Sequence, residues 1–438
     1  ECSFSPVFRM DGLVTSYDAI PQEYATFGRG DFRQPSLIVE TADGRRVNEL
    51  RYKEYAILKG RPGLKGLPFL DTDTEDVETL ALTMKDNFSG VEVVLYYSVF
   101  AEEDIISRYV LVRNTSGEPV QIRSAASLSV DFERADFDFV SLAGAWIRER
   151  HISRRPLAPG ITSIESRCGS SSHRLNPFAA LAAKNADENM GDVYGFSLIY
   201  SADFKISAEV DQYDDTRLQV GINPETFSWK LAAGEEFVTP EALMTYTREG
   251  FNGMSLNFHH VSRNHLGKFA DQSLAHPLLI NSWEAMYFGI TEEKIKKFIL
   301  DCRGLGIDTF VLDDGWFGHR DDDASSLGDW FVDKNKFKEG LHEVVDFCRQ
   351  NEMKFGIWFE PEMISRDSVL FETHPDWCIH CGDAAPVESR NQMVLDMSRQ
   401  EVVDGIYEQM ATIIREYDIS YIKWDFNRNL TDNGSHTL

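Results

Sequence analysis

A carboxylate at the end of a short apolar strand is the feature of this sequence that most directly indicates chemistry. Residues 422–428 read Ile-Lys-Trp-Asp-Phe-Asn-Arg and follow a β-branched and aromatic run that begins at Ile419. In a β/α barrel, the groups that carry out the chemistry lie at strand ends of this kind. Lys423 and Asp425 also suit a local ion pair at the edge of an ordinary sheet, so this segment alone leaves both interpretations open.

Four strand-like runs end in similar residue sets, and this repetition is a stronger signal than any one of them. The sets are Trp283-Glu284, Asp313-Asp314-Gly315-Trp316, Trp358-Phe359-Glu360 and Trp424-Asp425. A single acidic strand end is commonplace because Asp and Asn often cap the following helix. Four in succession converge only on the C-terminal face of a barrel.

The residue types in these sets match the chemistry of sugars. Sugars present apolar C–H faces and many hydroxyls, which tryptophan rings and carboxylates bind. Hydrolysis of a glycosidic bond also needs two carboxyl groups, one to protonate the leaving oxygen and one to act as nucleophile or base. The strand ends therefore indicate a site for a neutral sugar.

Alternating strands and helices position these sets in the second part of the chain. The predicted strands are 277–283, 309–314, 354–360 and the run into Asp425, separated by amphipathic helices. Four βα strands are half of an eight-stranded barrel, and an open half exposes an apolar interior. We therefore expect the chain to be truncated within the barrel, with a smaller open α/β sheet as the alternative.

Three helices between these strands have start signals or an apolar stripe. Thr291 is predicted to cap the first, residues 341–350 form the second, and Ser398 and Glu401 are predicted to form a capping box for the third. The apolar stripe of the third helix is Val403, Ile406, Tyr407, Met410, Ile413 and Ile414.

The first part of the chain has the pattern of an antiparallel β protein. Strand-like runs at 91–100, 105–113, 120–132 and 193–200 are separated by turn residues, which predicts sheets packed face to face. The predicted organisation is an N-terminal antiparallel β-supersandwich over residues 1–248, a helical linker over 249–274 and strands 1 to 4 of a (β/α)8 TIM barrel over 275–438. The chain is thus predicted to be a multidomain α and β protein.

Composition excludes several classes of partner. The formal net charge of −27 repels phosphate backbones and anionic lipid, so we expect neither nucleic acid nor a membrane as a partner. The six cysteines are sparse and scattered, which predicts reduced thiols and is consistent with a cytoplasmic location. Cys378 and Cys381 have metal-ligand spacing, but no second cysteine pair follows, and we expect no metal or other cofactor.

These motifs together resemble glycoside hydrolase family 36, the α-galactosidases of the bacterial type. The resemblance covers the N-terminal region, through residues 30–35 and 171–178, and the first half of the barrel. The barrel motifs occur in the expected order at residues 281–285, 312–318, 358–363 and 423–428.

The resemblance implies roles for individual residues. It makes Asp425 the nucleophile, which forms a covalent β-galactosyl-enzyme, and Lys423 a cation that holds the Asp425 carboxylate ionised and binds a sugar hydroxyl. Asp313 and Asp314 are expected to bind the axial 4-hydroxyl and the 6-hydroxyl of galactose.

Further residues are expected around the same sugar. By the resemblance, Trp283 and Trp358 are pocket walls, Asn427 a donor to the sugar, and Arg390 a cation that reaches the site from a loop. Trp316 and Trp330 suit packing or a subsite, whereas Glu360 and Glu362 are expected to support the pocket.

The implied activity is retaining hydrolysis of terminal α-galactosyl residues from oligosaccharides such as melibiose and raffinose. The acid/base residue of the family lies on a later strand, so the 438-residue chain alone is expected to be inactive. An α-N-acetylgalactosaminidase, a galactosyl-transferring enzyme and a non-catalytic carbohydrate-binding protein remain alternatives. Family members often form tetramers in which an N-terminal loop reaches a neighbouring site, with Asp31 and Arg33 as candidates here; a local ion pair explains these two residues equally well.

Overall fold

The chain consists of two compact units, Glu1–Lys268 and Phe269–Leu438. The computed structural model describes residues 18, 20–72, 77–267, 276–431, 434 and 435. Cys2 lies outside the described residues, and the other five cysteines carry free thiols. In this described part of the chain, no helix is long and apolar enough to cross a membrane.

The described part of the first unit is built mainly from strands. They are β1 (Leu37–Glu40), β2 (Leu50–Lys59), β3 (Glu78–Asp86), β4 (Val91–Phe100), β5 (Ile105–Asn114), β6 (Val120–Phe132), β7 (Phe137–Ala145), β8 (Arg148–Pro156), β9 (Gly160–Glu165), β10 (Leu175–Ala183), β11 (Val193–Ile199), β12 (Phe204–Val210), β13 (Thr216–Ile222), β14 (Trp229–Leu231), β15 (Glu236–Val238) and β16 (Glu241–Thr247). The four strands predicted from the sequence correspond to β4, β5, β6 and β11.

These strands form two antiparallel sheets. The ten-stranded sheet has the order β2-β3-β4-β5-β16-β11-β10-β7-β8 with β15 paired to β5, and the six-stranded sheet has the order β1-β6-β13-β12-β9 with β14 paired to β6. Apolar side chains from both sheets pack into common clusters, with Val93 and Leu95 of β4 against Val39 and Ile122 of β1 and β6. The predicted face-to-face packing of sheets is confirmed.

A buried ion-pair cluster joins the segment of Asp31 and Arg33, which precedes β1, to the six-stranded sheet. Arg217 donates to Asp131 at 2.7 Å and to Asp31 at 3.0 Å, and its side chain is fully buried. Arg33 donates to Asp31 at 2.9 Å and lies 3.4 Å from Asp131. Asp31 and Arg33 therefore form the local ion pair that the sequence offered as one of two interpretations.

A helix follows the last strand of the sandwich. It runs as α1 (Gly250–Val261) and continues as a π-helical turn over Ser262–Leu266. The helix packs directly on β11, where a Cβ added to Gly195 would come within 2.7 Å of Met254 and Phe258. The helix at this position was predicted as part of a linker over 249–274; the limits of that linker remain a prediction because residues 268–275 are not described.

The second unit alternates strands and helices. Its elements are β17 (Leu279–Asn281), α2 (Trp283–Met286), α3 (Glu292–Cys302), β18 (Thr309–Leu312), α4 (His342–Gln350), β19 (Lys354–Phe359), β20 (Met363–Ile364), α5 (Val369–Thr373), β21 (Met393–Val394), α6 (Gln400–Tyr417) and β22 (Tyr421–Trp424). Strands β17, β18, β19 and β22 are parallel and lie in the order of the chain. This order without reversal is that of a partial barrel.

Two details of the helices differ from the sequence prediction. Thr291 caps α3 as expected, but α6 begins after Arg399, and Ser398 donates to Asp396 instead of capping the helix. Val403 and Tyr407, predicted to be in the apolar stripe, are exposed, whereas Val402, Ile406, Met410 and Ile413 are buried. Ile406, Met410 and Ile413 are thus buried as predicted, and at the start of the helix Val402 takes the buried place expected of Val403.

We expect replacement of the buried Arg217 by Met to destabilise the first unit by about 3–5 kcal/mol. The change leaves the carboxylates of Asp31 and Asp131 buried with Arg33 as their nearest remaining cation, and an uncompensated buried charge is costly. Urea denaturation followed by circular dichroism measures the effect. The matched control is Arg45→Met, which removes an exposed partner of Asp43 and leaves the unfolding midpoint unchanged. Equal stability of Arg217→Met and the unaltered chain would contradict this account of the cluster.

Candidate active site

The strand register brings four acidic residues to one edge of the parallel sheet. Ile357 and Phe359 of β19 pair with Ile422 and Trp424 of β22, and the backbone N–H of Asp425 donates to the Phe359 carbonyl at 2.9 Å. Because the strands are parallel, the residues that follow β18, β19 and β22 emerge at the same edge. Asp313, Asp314, Glu360 and Asp425 are these residues.

Three N–H donors hold the Asp425 carboxylate in one orientation. Trp358 Nε1 donates to Oδ2 at 3.0 Å and Asn427 Nδ2 to the same oxygen at 2.7 Å. The backbone N–H of Phe426 donates to Oδ1 at 3.0 Å. The strand-end carboxylate that the sequence singled out is thus fixed by a side chain of β19 and by donors from its own segment.

Asp313 receives the cation that the sequence had assigned to Asp425. Lys423 Nζ lies 2.7 Å from Asp313 Oδ2, and Asn281 Nδ2 donates to the same oxygen at 2.5 Å. Lys423 and Asp425 are two positions apart on one strand, so their side chains point the same way but stand roughly 7 Å apart along it. The long lysine side chain instead reaches across the sheet, past Trp358, to Asp313.

Asp314 is held by an arginine that the sequence did not single out. Arg320 makes two parallel contacts with Asp314, both at 2.9 Å, and also donates to the Ser325 carbonyl at 2.7 Å. Burial raises the pKa of Asp314, the Arg320 guanidinium opposes that rise, and the Asp313 charge adds to it. The only sequence signal for Arg320 is its place six residues beyond the acidic pair, in a glycine-containing loop, and that signal is weak.

Glu360 lies beneath the site with little solvent access. Its side chain is 1% exposed, and its Oε1 accepts the backbone N–H of Asn427 at 2.5 Å. Burial raises the pKa of Glu360 to about 7; contacts with Asn427 oppose the shift, and the charges of Asp425 and Asp314 reinforce it. The sequence predicted a supporting role for this residue but not its perturbed ionisation.

Of the four tryptophans that the sequence offered for the pocket or its packing, one is partly exposed and three are buried. Trp283 is partly exposed and packs edge-to-face with Tyr287 and Phe288. Trp358, predicted as a pocket wall, is 1% exposed and presents its Nε1 to Asp425. Trp316 and Trp330 are buried in the core cluster, so packing is the interpretation that fits them.

Two further predicted residues border the site. Arg390 is exposed and donates from Nη1 to the Asn427 carbonyl at 3.0 Å, so it contacts the segment that carries Asp425 through the backbone. Both Arg390 and Asn391 have left-handed backbone conformations, with φ of 53° and 57°. Glu362 accepts from the ring nitrogen of Trp424 at 3.1 Å and stands outside the hydrogen-bond network of Asp425.

Residues 276–431 and the rest of the described chain contain no group of three or more side chains suited to hold a metal ion. Within the segment that has metal-ligand spacing, Cys378 is buried, Cys381 is exposed, and His380 Nδ1 contacts the Cys378 carbonyl at 2.8 Å.

Comparison with known proteins agrees with this geometry. Parallel strands in chain order, with carboxylates at their C-terminal ends, place the second unit among partial β/α barrels with an acidic strand-end edge. The family description "Glycosyl hydrolase family 36 N-terminal domain" matches residues 5–232 and "Melibiase" matches residues 236–438. The chain belongs to glycoside hydrolase family 36.

Several relatives are similar over nearly the whole of this chain. The α-galactosidase AgaA of Geobacillus stearothermophilus is 45% identical over 437 residues, which cover 100% of this chain and 60% of AgaA. Mel36A of Lactobacillus acidophilus is 44% identical over 420 residues, which are 95% of this chain and 57% of Mel36A. A crystal structure of an AgaA variant with 1-deoxygalactonojirimycin has a TM-score of 0.96 at 45% identity, covering 100% of this chain and 61% of that one. The chain therefore spans about three fifths of the length of these relatives.

We expect Glu360 to make stability depend on pH. Its folded-state pKa of about 7 exceeds the ordinary value of 4.5, so the folded chain keeps a proton that the unfolded chain loses. Relative to Glu360→Gln, which stays neutral, the free energy of unfolding should fall by roughly 3 kcal/mol between pH 4.5 and 7 and then level off. Urea denaturation across this range measures the difference, with Glu372→Gln at an exposed position as the control. A difference that does not change with pH would contradict the buried setting of Glu360, which has no ion-pair partner among the described residues.

Proposed function

We propose that the full-length natural polypeptide containing this sequence is a retaining α-galactosidase. It hydrolyses terminal α-galactosyl residues from oligosaccharides such as melibiose and raffinose by double displacement. The observation that carries this proposal is the fixed carboxylate of Asp425 at the same sheet edge as two further carboxylates, Asp313 and Asp314, each paired with a cation. Crystal structures of AgaA variants in complex with raffinose and with stachyose support the choice of substrate class.

Asp425 has the geometry of a nucleophile that is ready to react. Trp358 and Asn427 both donate to Oδ2, while Oδ1 receives a single backbone N–H. In the first step a carboxylate oxygen of Asp425 bonds to the anomeric carbon as the bond to the leaving oxygen breaks and that oxygen is protonated. In the second step water, after giving up a proton, attacks the same carbon and releases Asp425, which gives net retention. By the resemblance to the family, the acid/base group is supplied by a later barrel strand.

Asp313 and Asp314 supply the contacts for sugar hydroxyls. Each carboxylate is already oriented by a partner, Lys423 for Asp313 and Arg320 for Asp314, which limits the positions a bound hydroxyl can take. A site built to hydrogen-bond an axial 4-hydroxyl leaves buried polar groups unpaired when an equatorial hydroxyl takes its place. This penalty accounts for a preference for galactose over glucose.

The remaining site residues keep roles that the resemblance implies, except that Lys423 pairs with Asp313 instead of Asp425 and the buried Trp358 orients Asp425. Trp283 offers a partly exposed ring to an apolar sugar face, and Asn427 and Lys423 offer N–H donors to hydroxyls. Arg390 steadies the segment after Asp425 through the Asn427 carbonyl. Assembly into a homo-oligomer, a tetramer by the same resemblance, and a cytoplasmic location are parts of this proposal.

Covalent trapping tests the role of Asp425 directly. A mechanism-based fluorinated galactosyl inhibitor, incubated with the full-length natural polypeptide, should label one peptide, and mass spectrometry should place the sugar on Asp425. Asp425→Ala should abolish both turnover and labelling. Label on another carboxylate would contradict the assignment. The isolated 438-residue chain should show no turnover, and activity in it that Asp425→Ala abolishes would overturn the expectation that its acid/base group lies elsewhere.

We expect Asp313→Asn to lower kcat/KM for an α-galactoside by about 10²-fold, which corresponds to the loss of one charge-assisted hydrogen bond. The same change should alter the much slower reaction of the matching α-glucoside far less, because that substrate lacks the axial hydroxyl. Steady-state kinetics with both substrates measure the ratio. Asp308→Asn, before the opposite end of the same strand, is the matched control and should leave both rates unchanged. Equal loss for the two substrates would contradict a role in selecting the 4-hydroxyl.

A further inference from the structure

Two hydrogen bonds connect Glu360 to Asp425 through a single residue. Glu360 follows β19, and its Oε1 accepts the backbone N–H of Asn427 at 2.5 Å. The side-chain amide of the same asparagine donates to Asp425 Oδ2 at 2.7 Å. The orientation of Asn427, and with it one of the two side-chain donors on Asp425, therefore depends on the Glu360 carboxyl.

The charges around Glu360 are unfavourable to a second anion. Asp425, after β22, and Asp314, after β18, are the charged groups that act on it most, and both are acidic. The nearby arginines, Arg390 and Arg428, donate to backbone oxygens of Asn427 and Gln392. Among the ion pairs of residues 276–431, none includes Glu360, which distinguishes it from Asp313 and Asp314.

The neighbouring glutamine leaves an acceptor without a donor. Gln392 is 1% exposed, and its Nε2 lies 3.5 Å from Glu360 Oε2, at the limit of a hydrogen bond. Its Oε1 is buried and has no donor within the described part of the chain. A half-turn of the Gln392 amide would bring Oε1 toward Glu360, where a proton on the carboxyl would supply the missing donor.

We propose that Glu360, in its neutral form, is a positioning residue that holds Asn427 and thereby the reactive orientation of Asp425, and that loss of its proton disturbs this arrangement. Burial and the two flanking aspartates favour the neutral form, since they bring the Glu360 pKa to about 7. Ionisation adds a negative charge to those of Asp425 and Asp314. It also strengthens the hydrogen bond that Glu360 accepts from the backbone N–H of Asn427. The inference rests on the proposed function, because Asp425 is taken as the nucleophile.

The proposal predicts a proton-dependent rate that a purely structural glutamate would not produce. As pH rises through about 7, kcat should fall because the share of neutral Glu360 falls, while substrate binding through Asp313 and Asp314 is affected less. Glu360→Gln keeps an oxygen that can accept the Asn427 N–H and cannot ionise. Its rate should therefore stay close to that of the unaltered protein at pH 6 and lack the decline near pH 7.

The experiment compares pH profiles of kcat and KM for the unaltered full-length polypeptide, Glu360→Gln and Glu360→Ala. Glu360→Ala removes the acceptor and should lower kcat by about 10²-fold with KM within a few-fold, the expected cost of a misplaced reacting group. Circular dichroism establishes that each variant is folded; Glu360→Asn, which keeps an amide oxygen and cannot ionise, replaces Glu360→Gln if that variant is not. A decline near pH 7 that persists unchanged in Glu360→Gln would overturn the proposal.

A readout that does not need turnover separates this proposal from the proposed function. The infrared difference spectrum between the unaltered chain and Glu360→Gln should show a protonated carboxyl band below about pH 7 that is lost above it. If that band is present but no α-galactosidase activity is found, the proposed function fails while the neutral state of Glu360 stands. If activity and Asp425 labelling are found but the carboxyl is ionised at pH 5, the positioning role fails alone.

Discussion

Mutual repulsion among carboxyl groups at one edge of the parallel sheet is the constraint on which the site depends. The register of β18, β19 and β22 forces Asp313, Asp314, Glu360 and Asp425 to emerge side by side. These groups are stabilised in three ways. Asp313 and Asp314 each pair with a cation, Asp425 accepts three N–H donors, and the pKa of Glu360 is raised. Like charges that cannot all be paired are resolved either by a cation or by a proton. Whether a carboxyl group has a cation, neutral donors or a proton therefore determines whether it can react or can only bind or support.

The two cations define the binding side of the edge. Lys423 crosses the sheet to Asp313, and Arg320 returns from the loop after β18 to Asp314. Asp425 is left with neutral donors, and such donors fix a carboxylate without neutralising its charge. A nucleophile needs this combination of fixed orientation and retained charge, whereas a hydroxyl-binding pair tolerates stronger compensation.

Much of the architecture could be predicted from the sequence because it rests on periodicity and strand-end chemistry. Alternating patterns located β4, β5, β6 and β11, and the repeated acidic strand ends located the candidate site. Side-chain partners could not be predicted, because they depend on the curvature of the sheet. Lys423 was expected beside Asp425 from its place in the chain, yet it pairs with Asp313 two strands away. The bidentate contact from Arg320 and the neutral setting of Glu360 are likewise set by loop geometry and burial.

A crystal structure of the full-length natural polypeptide carrying Asp425→Asn, soaked with an intact α-galactoside, tests the central claim most directly. The account predicts the galactosyl ring against Trp283, its 4- and 6-hydroxyls on Asp313 and Asp314, and the anomeric carbon about 3–3.5 Å from the side chain at position 425. A sugar bound in another orientation, with the anomeric carbon turned away from position 425 and toward Asp313 or Asp314, would contradict it.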